Sequence, residues 1–356
     1  MNKNDVIELI DRVGARLGYG THTKNSQDKG MYAWEWHHGV GLYGMIRYYF
    51  QTGDENILKG IINWFEKNFE KGNPKLRHVN STAPVFTLAY LYEITGDKRY
   101  GEFCDDWAKW VMNELPRTEE GAFQHTVSNG QNYNQVWDDT LFMAVLFLAK
   151  YGVMTKNEEY INETIRQFLV HLKYLTDVET GLLFHGWTFE GRHNFARARW
   201  ARGNSWLTTV IVDYFDIVEN LNGGVKMFLI EALKSQVKAL KKYQDESGMW
   251  HTLIDVPESY LETSATAGFA YGILKGVRLG YLDKEYEEAA IKAVKAVISN
   301  IDKDGYILRV SYGTGMGNTL QEYMDVPYEM QPSFGSALTI LMLTECLHEG
   351  HLEFLK

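Results

Sequence analysis

Two adjacent carboxylates stand in the string Trp137-Asp138-Asp139-Thr140-Leu141-Phe142-Met143, at the start of an apolar run. A helix start uses a carboxylate to cap its free N–H groups and to complement its dipole, and one carboxylate is enough for that. Adjacent helical residues point about 100° apart, at ~3.6 residues per turn. One of the two can therefore cap while the other faces a cavity. An aspartate packed among aromatic rings tends to keep its proton, because desolvation disfavours the charged form. A protonated carboxyl near neutral pH is what general acid catalysis requires. Three histidines hold similar positions after turn glycines: His125 after Gly121, His185 after Gly181 and His251 after Gly248, with Trp187 and Trp250 beside the last two. Trp200-Ala201-Arg202-Gly203-Asn204-Ser205-Trp206 puts an arginine between two tryptophans. Its planar fork of donors fits a carboxylate, although a structural ion pair would use the same residue. Trp34-Glu35-Trp36-His37-His38 has paired histidines, but no second cluster shows ligand spacing, so no metal is expected.

These residues need elements to hold them, and the elements are helical. Ile57–Phe69, Tyr100–Leu115, Tyr160–Leu175, Val225–Tyr243 and Tyr286–Ile301 space their apolar residues at i, i+3, i+4 and i+7. Between them lie six runs that are apolar almost all round: Val40–Phe50, Pro84–Ile94, Leu141–Tyr151, Trp206–Val218, Ala265–Leu279 and Phe334–Leu347. Turn glycines preceded by acidic residues recur at Gly121, Gly181, Gly248 and Gly305, roughly 60 residues apart, which fits six helical hairpins in this length. A second connector, Thr52-Gly53-Asp54, Thr95-Gly96-Asp97 and Gly280-Tyr281-Leu282-Asp283, reads as a glycine ending one helix and an aspartate capping the next. Helices that are apolar on every side belong inside a ring of others. The expected fold is thus an all-α closed barrel, with apolar helices inside, amphipathic helices outside, and polar-aromatic loops around a funnel on one rim. No linker interrupts residues 1–356, so one domain is expected.

Composition narrows the function. With 36 basic and 46 acidic residues the net charge is −10, and no dense Lys/Arg run appears, which argues against nucleic acid. The 10 Trp, 22 Tyr and 17 Phe exceed what a core needs, and aromatic faces in loops suit the C–H faces of sugar rings. No basic segment followed by an apolar one opens the chain, and no run nears the ~18 apolar residues of a membrane span. Cys104 and Cys346 read as structural thiols of a reducing compartment, so a cytoplasmic protein is expected.

Three strings together resemble glycoside hydrolase family 105, the unsaturated rhamnogalacturonyl hydrolase group. They are Trp-x-Asp-x-Leu-aromatic-Met at 137–143, Gly-Leu-Leu-Phe-His-Gly-Trp at 181–187, and Trp-Ala-Arg-x-x-x-Trp at 200–206. Weaker similarity extends from about Trp34 to Phe334. The resemblance implies an (α/α)6 barrel, which agrees with the six hairpins counted from the repeats. It also implies removal of a 4,5-unsaturated uronic acid from the non-reducing end of lyase-made oligosaccharides. Carried over by position, the catalytic aspartate falls on Asp139. Substrate contacts fall on His125, His185, Trp200, Arg202 and Trp206, with Trp36, His37, Trp137, Asp138 and Trp187 beside them. A second family aspartate is replaced here by Asn80, which can hydrogen-bond a hydroxyl but cannot ionise.

The implied chemistry is vinyl ether hydration. Protonation of C4 gives a cation at C5 stabilised by the ring oxygen, water adds at C5, and the hemiketal opens and releases the sugar. One aspartate can act first as acid and then as base, and no cofactor or metal is required. The alternatives are an ordinary inverting glycosidase, needing a second carboxylate such as Glu262 or Asp138, and a non-catalytic helical-repeat binding protein.

Overall fold

Inner and outer helices alternate along the chain, in a computed structural model that describes residues 1–17, 33–328 and 332–352. The outer helices are α1 (Lys3–Gly14), α3 (Glu55–Glu70), α5 (Lys98–Asn113), α7 (Glu158–Leu175), α9 (Gly223–Tyr243) and α11 (Glu287–Ser299). The inner helices are α2 (Trp36–Thr52), α4 (Val79–Thr95), α6 (Leu146–Thr155, entered through a π-helical turn at Leu141–Val145), α8 (Ala201–Ile217), α10 (Thr263–Arg278) and α13 (Pro332–Glu345). Each inner helix packs on the next, and α13 returns to α2. The ring is therefore closed, an (α/α)6 barrel as the periodicity and the resemblance led us to expect. The ends of the chain complete it: α1, the outer helix without a clear signal in the sequence, packs on α13.

Sequence dictates the alternation. Outer helices bury one stripe, such as Leu58, Ile61, Trp64 and Phe65 on α3. Inner helices bury nearly every residue, as α8 does from Ala201 to Phe215. Close packing of the ring needs helix positions without a side chain. A Cβ at Gly39 would meet the Ala83–Pro84 backbone at 2.6 Å, and one at Gly272 would meet the Thr208 carbonyl at 2.4 Å.

The connections divide the barrel into two unlike ends. At the C-terminal ends of the inner helices the chain turns back tightly. Gly53 and Gly96 end α2 and α4 at φ 68° and 67°, and Asp54 and Asp97 cap α3 and α5. Asp283, the third member of that pattern, opens a 3-10 turn (Lys284–Tyr286) without a side-chain cap. At the N-terminal ends the connections are long. Those before α6, α8 and α10 carry short strands: β1 (Gln135–Trp137) pairs with β2 (Gly186–Thr188), and β3 (Trp250–His251) with β4 (Leu261–Glu262). Another short helix, α12 (Leu320–Met324), lies in the connection before α13.

Candidate active site

The antiparallel β1–β2 pair joins two successive repeats at the rim and aligns Trp137 with Gly186. One residue on, the Asp138 N–H donates to the His185 carbonyl at 3.1 Å, which brings the Asp138-Asp139 step against His185. One carboxylate oxygen from each aspartate and a ring nitrogen of His185 lie within 4.8 Å of one another.

Asp139 points into the funnel. Its Oδ1 accepts from Trp206 Nε1 at 3.1 Å, its Oδ2 lies 3.6 Å from His185 Nε2, and its side chain keeps 17% of its exposure. His185 is fixed from behind. Its Nδ1 is 2.7 Å from the Tyr323 hydroxyl, which in turn accepts from the Gly317 N–H at 3.2 Å. With the Tyr323 O–H donating to Nδ1, the proton of the neutral ring lies on Nε2 and faces Asp139. Trp137 stands between the two histidines: His125 stacks on it at 4.5 Å, and His185 meets its edge at 5.2 Å. His125 Nδ1 is 2.9 Å from Thr140 Oγ1.

The electrostatics separate the two aspartates. Asp138 is wholly buried, with neither carboxyl oxygen at hydrogen-bonding geometry to a donor. Burial, reinforced by the charge of Asp139, pushes its carboxyl well above the usual range. For Asp139 burial also pushes upward, but the hydrogen bond toward His185, the neighbouring imidazoles and Asp138 outweigh it and leave it below the usual range. Burial lowers His125 to about 4 and lowers His185 as well, so both rings are neutral at pH 7. The hydrogen bond that the Asp139 carboxylate accepts comes from Trp206 Nε1. An aspartate among aromatic rings does retain its proton here, but it is Asp138. Nor does Asp138 cap the helix, since its carboxyl lies against Gly203 on α8 instead.

The other expected residues take different positions. Trp36 is half-buried, and the fully buried Trp206 meets its ring edge-on at 5.8 Å; His37 follows Trp36 at 5.7 Å in the first turn of α2. Trp200 covers His185 at 4.3 Å. Asn80 is half-buried in the first turn of α4, just after the capping residue His78. Trp187 packs on Tyr174 at 5.0 Å and on Phe189 at 6.2 Å. Arg202 stacks on Trp200 at 4.8 Å but is buried, and its guanidinium donates to the Ser311 and Tyr312 carbonyls at 3.1 and 2.7 Å. It holds the 311–314 segment over the rim. Glu262 is buried too. It caps α10 and accepts from Ser264 Oγ, Ala265 N–H and Ser311 N–H.

His251 does not join the other two histidines; its Nδ1 is tied to the Ser259 carbonyl in the β3–β4 hairpin. It follows its turn glycine by three residues, where His125 and His185 follow theirs by four. In extended chain a one-residue offset sends the side chain to the opposite face. Tyr323 and His78 were missed in the sequence. Tyr323 lies on a five-residue helix inside a long connection. His78, 4.0 Å from Glu35, precedes its helix without the usual capping chemistry.

The profile of Glycosyl Hydrolase Family 88 matches residues 10–349. Unsaturated rhamnogalacturonyl hydrolase YesR of Bacillus subtilis is 33% identical over 319 residues, covering 89% of this chain and 90% of that protein. A crystal structure from Klebsiella pneumoniae, described as a possible member of family GH105, superposes with a TM-score of 0.93 at 46% identity, covering 98% of this chain and 94% of that one. Its counterpart from Salmonella enterica gives 0.93 at 45%, covering 98% and 95%. The resemblance carried by the three sequence strings is borne out, and the chain belongs to glycosyl hydrolase family 88.

Proposed function

We propose that this protein removes a 4,5-unsaturated uronic acid from the non-reducing end of lyase-generated oligosaccharides by hydrating its vinyl ether. The observation that carries this reading is the unequal exposure of the carboxyls. Of the three offered by the sequence, Asp139 opens to the funnel, while Asp138 and Glu262 are fully buried. Hydrolysis with two carboxylates across the glycosidic bond needs a second one facing substrate. Vinyl ether hydration needs one.

In this reading Asp139 gives its proton to C4, and the positive charge develops at C5 beside the ring oxygen. Asp139, now a carboxylate, takes a proton from the water that adds at C5. The hemiketal then opens and the neighbouring sugar leaves. The like charge of the substrate's uronate, entering beside Asp139, favours the protonated acid needed for the first step. The inner helices point their N-termini at this rim, and their dipoles favour an anionic sugar there. Trp36 and Trp137 offer faces to the sugar ring, while the buried Trp200 and Trp206 back His185 and Asp139. His37, His125, His185 and Asn80 contribute polar contacts, and Trp187 closes the wall. Arg202 assists through the segment it holds. The relationship to YesR supports the unsaturated uronate as substrate class. Residues 1–356 act as one catalytic domain, and the free buried thiols Cys104 and Cys346 suit a cytoplasmic setting.

The test is Asp139→Asn on unsaturated disaccharides, followed by loss of the ultraviolet absorbance of the double bond. A fall in kcat on the order of 10²-fold or more is expected for loss of a positioned acid–base group. Turnover in heavy water should leave deuterium at C4. Full activity of the variant, or a product without deuterium at C4, would exclude the mechanism.

A further inference from the structure

Asp138 is a buried acid that this mechanism does not use. A side chain of that kind normally meets a donor or a cation, because an uncompensated buried charge is costly. Here the carboxyl lies against the backbone of the first turn of α8: a Cβ at Gly203 would stand 2.1 Å from Oδ2 and 2.6 Å from Oδ1. Glycine at 203 is what makes room for it. Among the described residues, the titratable groups facing it are Asp139 on its own turn, His185 from the segment before β2, and Tyr323 from α12. None is a cation at neutral pH. Arg202, one residue before Gly203, is turned away toward Ser311 and Tyr312. Burial and the charge of Asp139 both favour the protonated form of Asp138.

We propose that Asp138 works as a neutral carboxylic acid whose hydroxyl donates to Asp139, stabilising the carboxylate that forms once C4 has taken the proton. The proposal rests on the reading of Asp139 as the proton donor and adds a positioning residue to it. Asp139 transfers its own proton to C4 and regains one from the attacking water, while Asp138 keeps its proton throughout. The pair never carries more than one negative charge. An alkene carbon is a weak base, so stabilising the conjugate carboxylate strengthens the acid where the reaction demands it. Trp206 Nε1 and His185 Nε2 face the same carboxylate from other directions, and Asp138 supplies a further neutral partner.

The experiment compares Asp138→Asn and Asp138→Leu with wild type across a pH series, using an unsaturated disaccharide. The asparagine amide still donates, whereas leucine fills similar space without a donor. For Asp138→Leu, kcat should fall about tenfold or more and the alkaline limb of its pH profile should move up by about one unit, as for loss of a hydrogen bond to a charged group. Asp138→Asn should show the same changes to a smaller degree. Infrared difference spectra of wild type against Asp138→Asn should show the carbonyl band of a protonated carboxylic acid at neutral pH. That measurement holds whether or not the leucine variant folds. The proposal is overturned if folded Asp138→Leu keeps the wild-type limb and kcat, if the infrared band is missing, or if Asp138→Asn is as inactive as Asp139→Asn. The last result would make Asp138 the transferring acid. An active Asp139→Asn variant would instead defeat the underlying mechanism, so the two failures are distinguishable.

Discussion

Two fully buried aspartates, Asp213 at the floor of this barrel and Asp138 at its rim, have opposite surroundings. At the floor, where the inner helices end, Asp213 is fully buried beside Lys275 Nζ and the Tyr271 hydroxyl, each at 2.6 Å. Lys275 also reaches Asp216 at 2.5 Å, and Arg47 lies 3.6 Å from the same residue. Four residues from three inner helices thus bring cations and carboxylates together. At the rim, Asp138 faces no cation among the described residues, and the described partners of Asp139 are neutral at neutral pH. Matched charges favour a fixed arrangement, at the floor and in the Arg202–Glu262 pair of the rim at 3.7 Å, whereas the unmatched Asp138-Asp139 step leaves Asp139 able to exchange a proton with a ligand. The comparison separates buried charge that braces the fold from buried acidity that is available for chemistry.

This contrast can be broken in graded ways. The largest expected effect on stability is at the floor. Lys275→Met strands Asp213 and should cost about 3–5 kcal/mol, as when one partner of a buried pair is removed. Denaturant melts would show it, while kcat of the folded variant should stay at the wild-type value. A matching loss of kcat would mean that floor and rim are coupled. Arg202→Lys is expected next, at about 2 kcal/mol, from hydrogen bonds made by a charged group in the 311–314 network. It should also raise KM as the segment loosens, and an unchanged KM would confine Arg202 to bracing.

Asp138→Asn is expected to move stability the other way. The native protein keeps a proton on Asp138 that the unfolded chain loses above the ordinary aspartate pKa of ~3.9. Its contribution is therefore complete below that pH. It declines by about 1.4 kcal/mol per pH unit as pH rises toward the native pKa. Asparagine does not titrate, so the stability of Asp138→Asn relative to wild type should improve steadily from pH 5 to pH 8. A constant difference across that range would show that Asp138 is ionised in the native protein. The smallest effect is expected for Tyr323→Phe, which removes the hydroxyl paired with His185 Nδ1. A loss of about 1 kcal/mol, or several-fold in kcat, fits one neutral hydrogen bond, and the pH profile should broaden as the ring loses its fixed tautomer.

The six hairpins were legible because two periodic signals coincide. Turn glycines must adopt the left-handed region, and Gly121, Gly181, Gly248 and Gly305 do so at φ between 75° and 87°. The inner runs lack a polar face because the ring covers them on all sides. Much of the site was legible too, since Trp137, His125, His185 and Trp206 belong to strings whose order the barrel preserves. What could not be read were contacts between residues distant in sequence. Tyr323 reaches His185 across 138 residues, and Lys275 meets Asp213 across 62, with no local pattern to announce either. The proton's place was hidden for a related reason. It depends on Gly203 approaching Asp138 from another helix, so local aromatic context alone did not show which of two neighbouring acids stays neutral.

The π-helical turn at Leu141–Val145 has a consequence for insertions and deletions. Such a turn accommodates one residue more than an α-helix would over the same stretch. The helix beyond it is locked into the ring by Leu146–Tyr151. Removing a single residue from the turn would restore ordinary α-helical spacing and leave the segments on either side in register. Removing one from the α-helical stretch beyond it, where no extra residue is stored, would rotate the rim end by about 100° and shift it by ~1.5 Å against the ring, carrying Asp139 away from Trp206 and His185. The turn is thus a point where a one-residue difference in length is absorbed, whereas the same change farther along the helix would displace the acid.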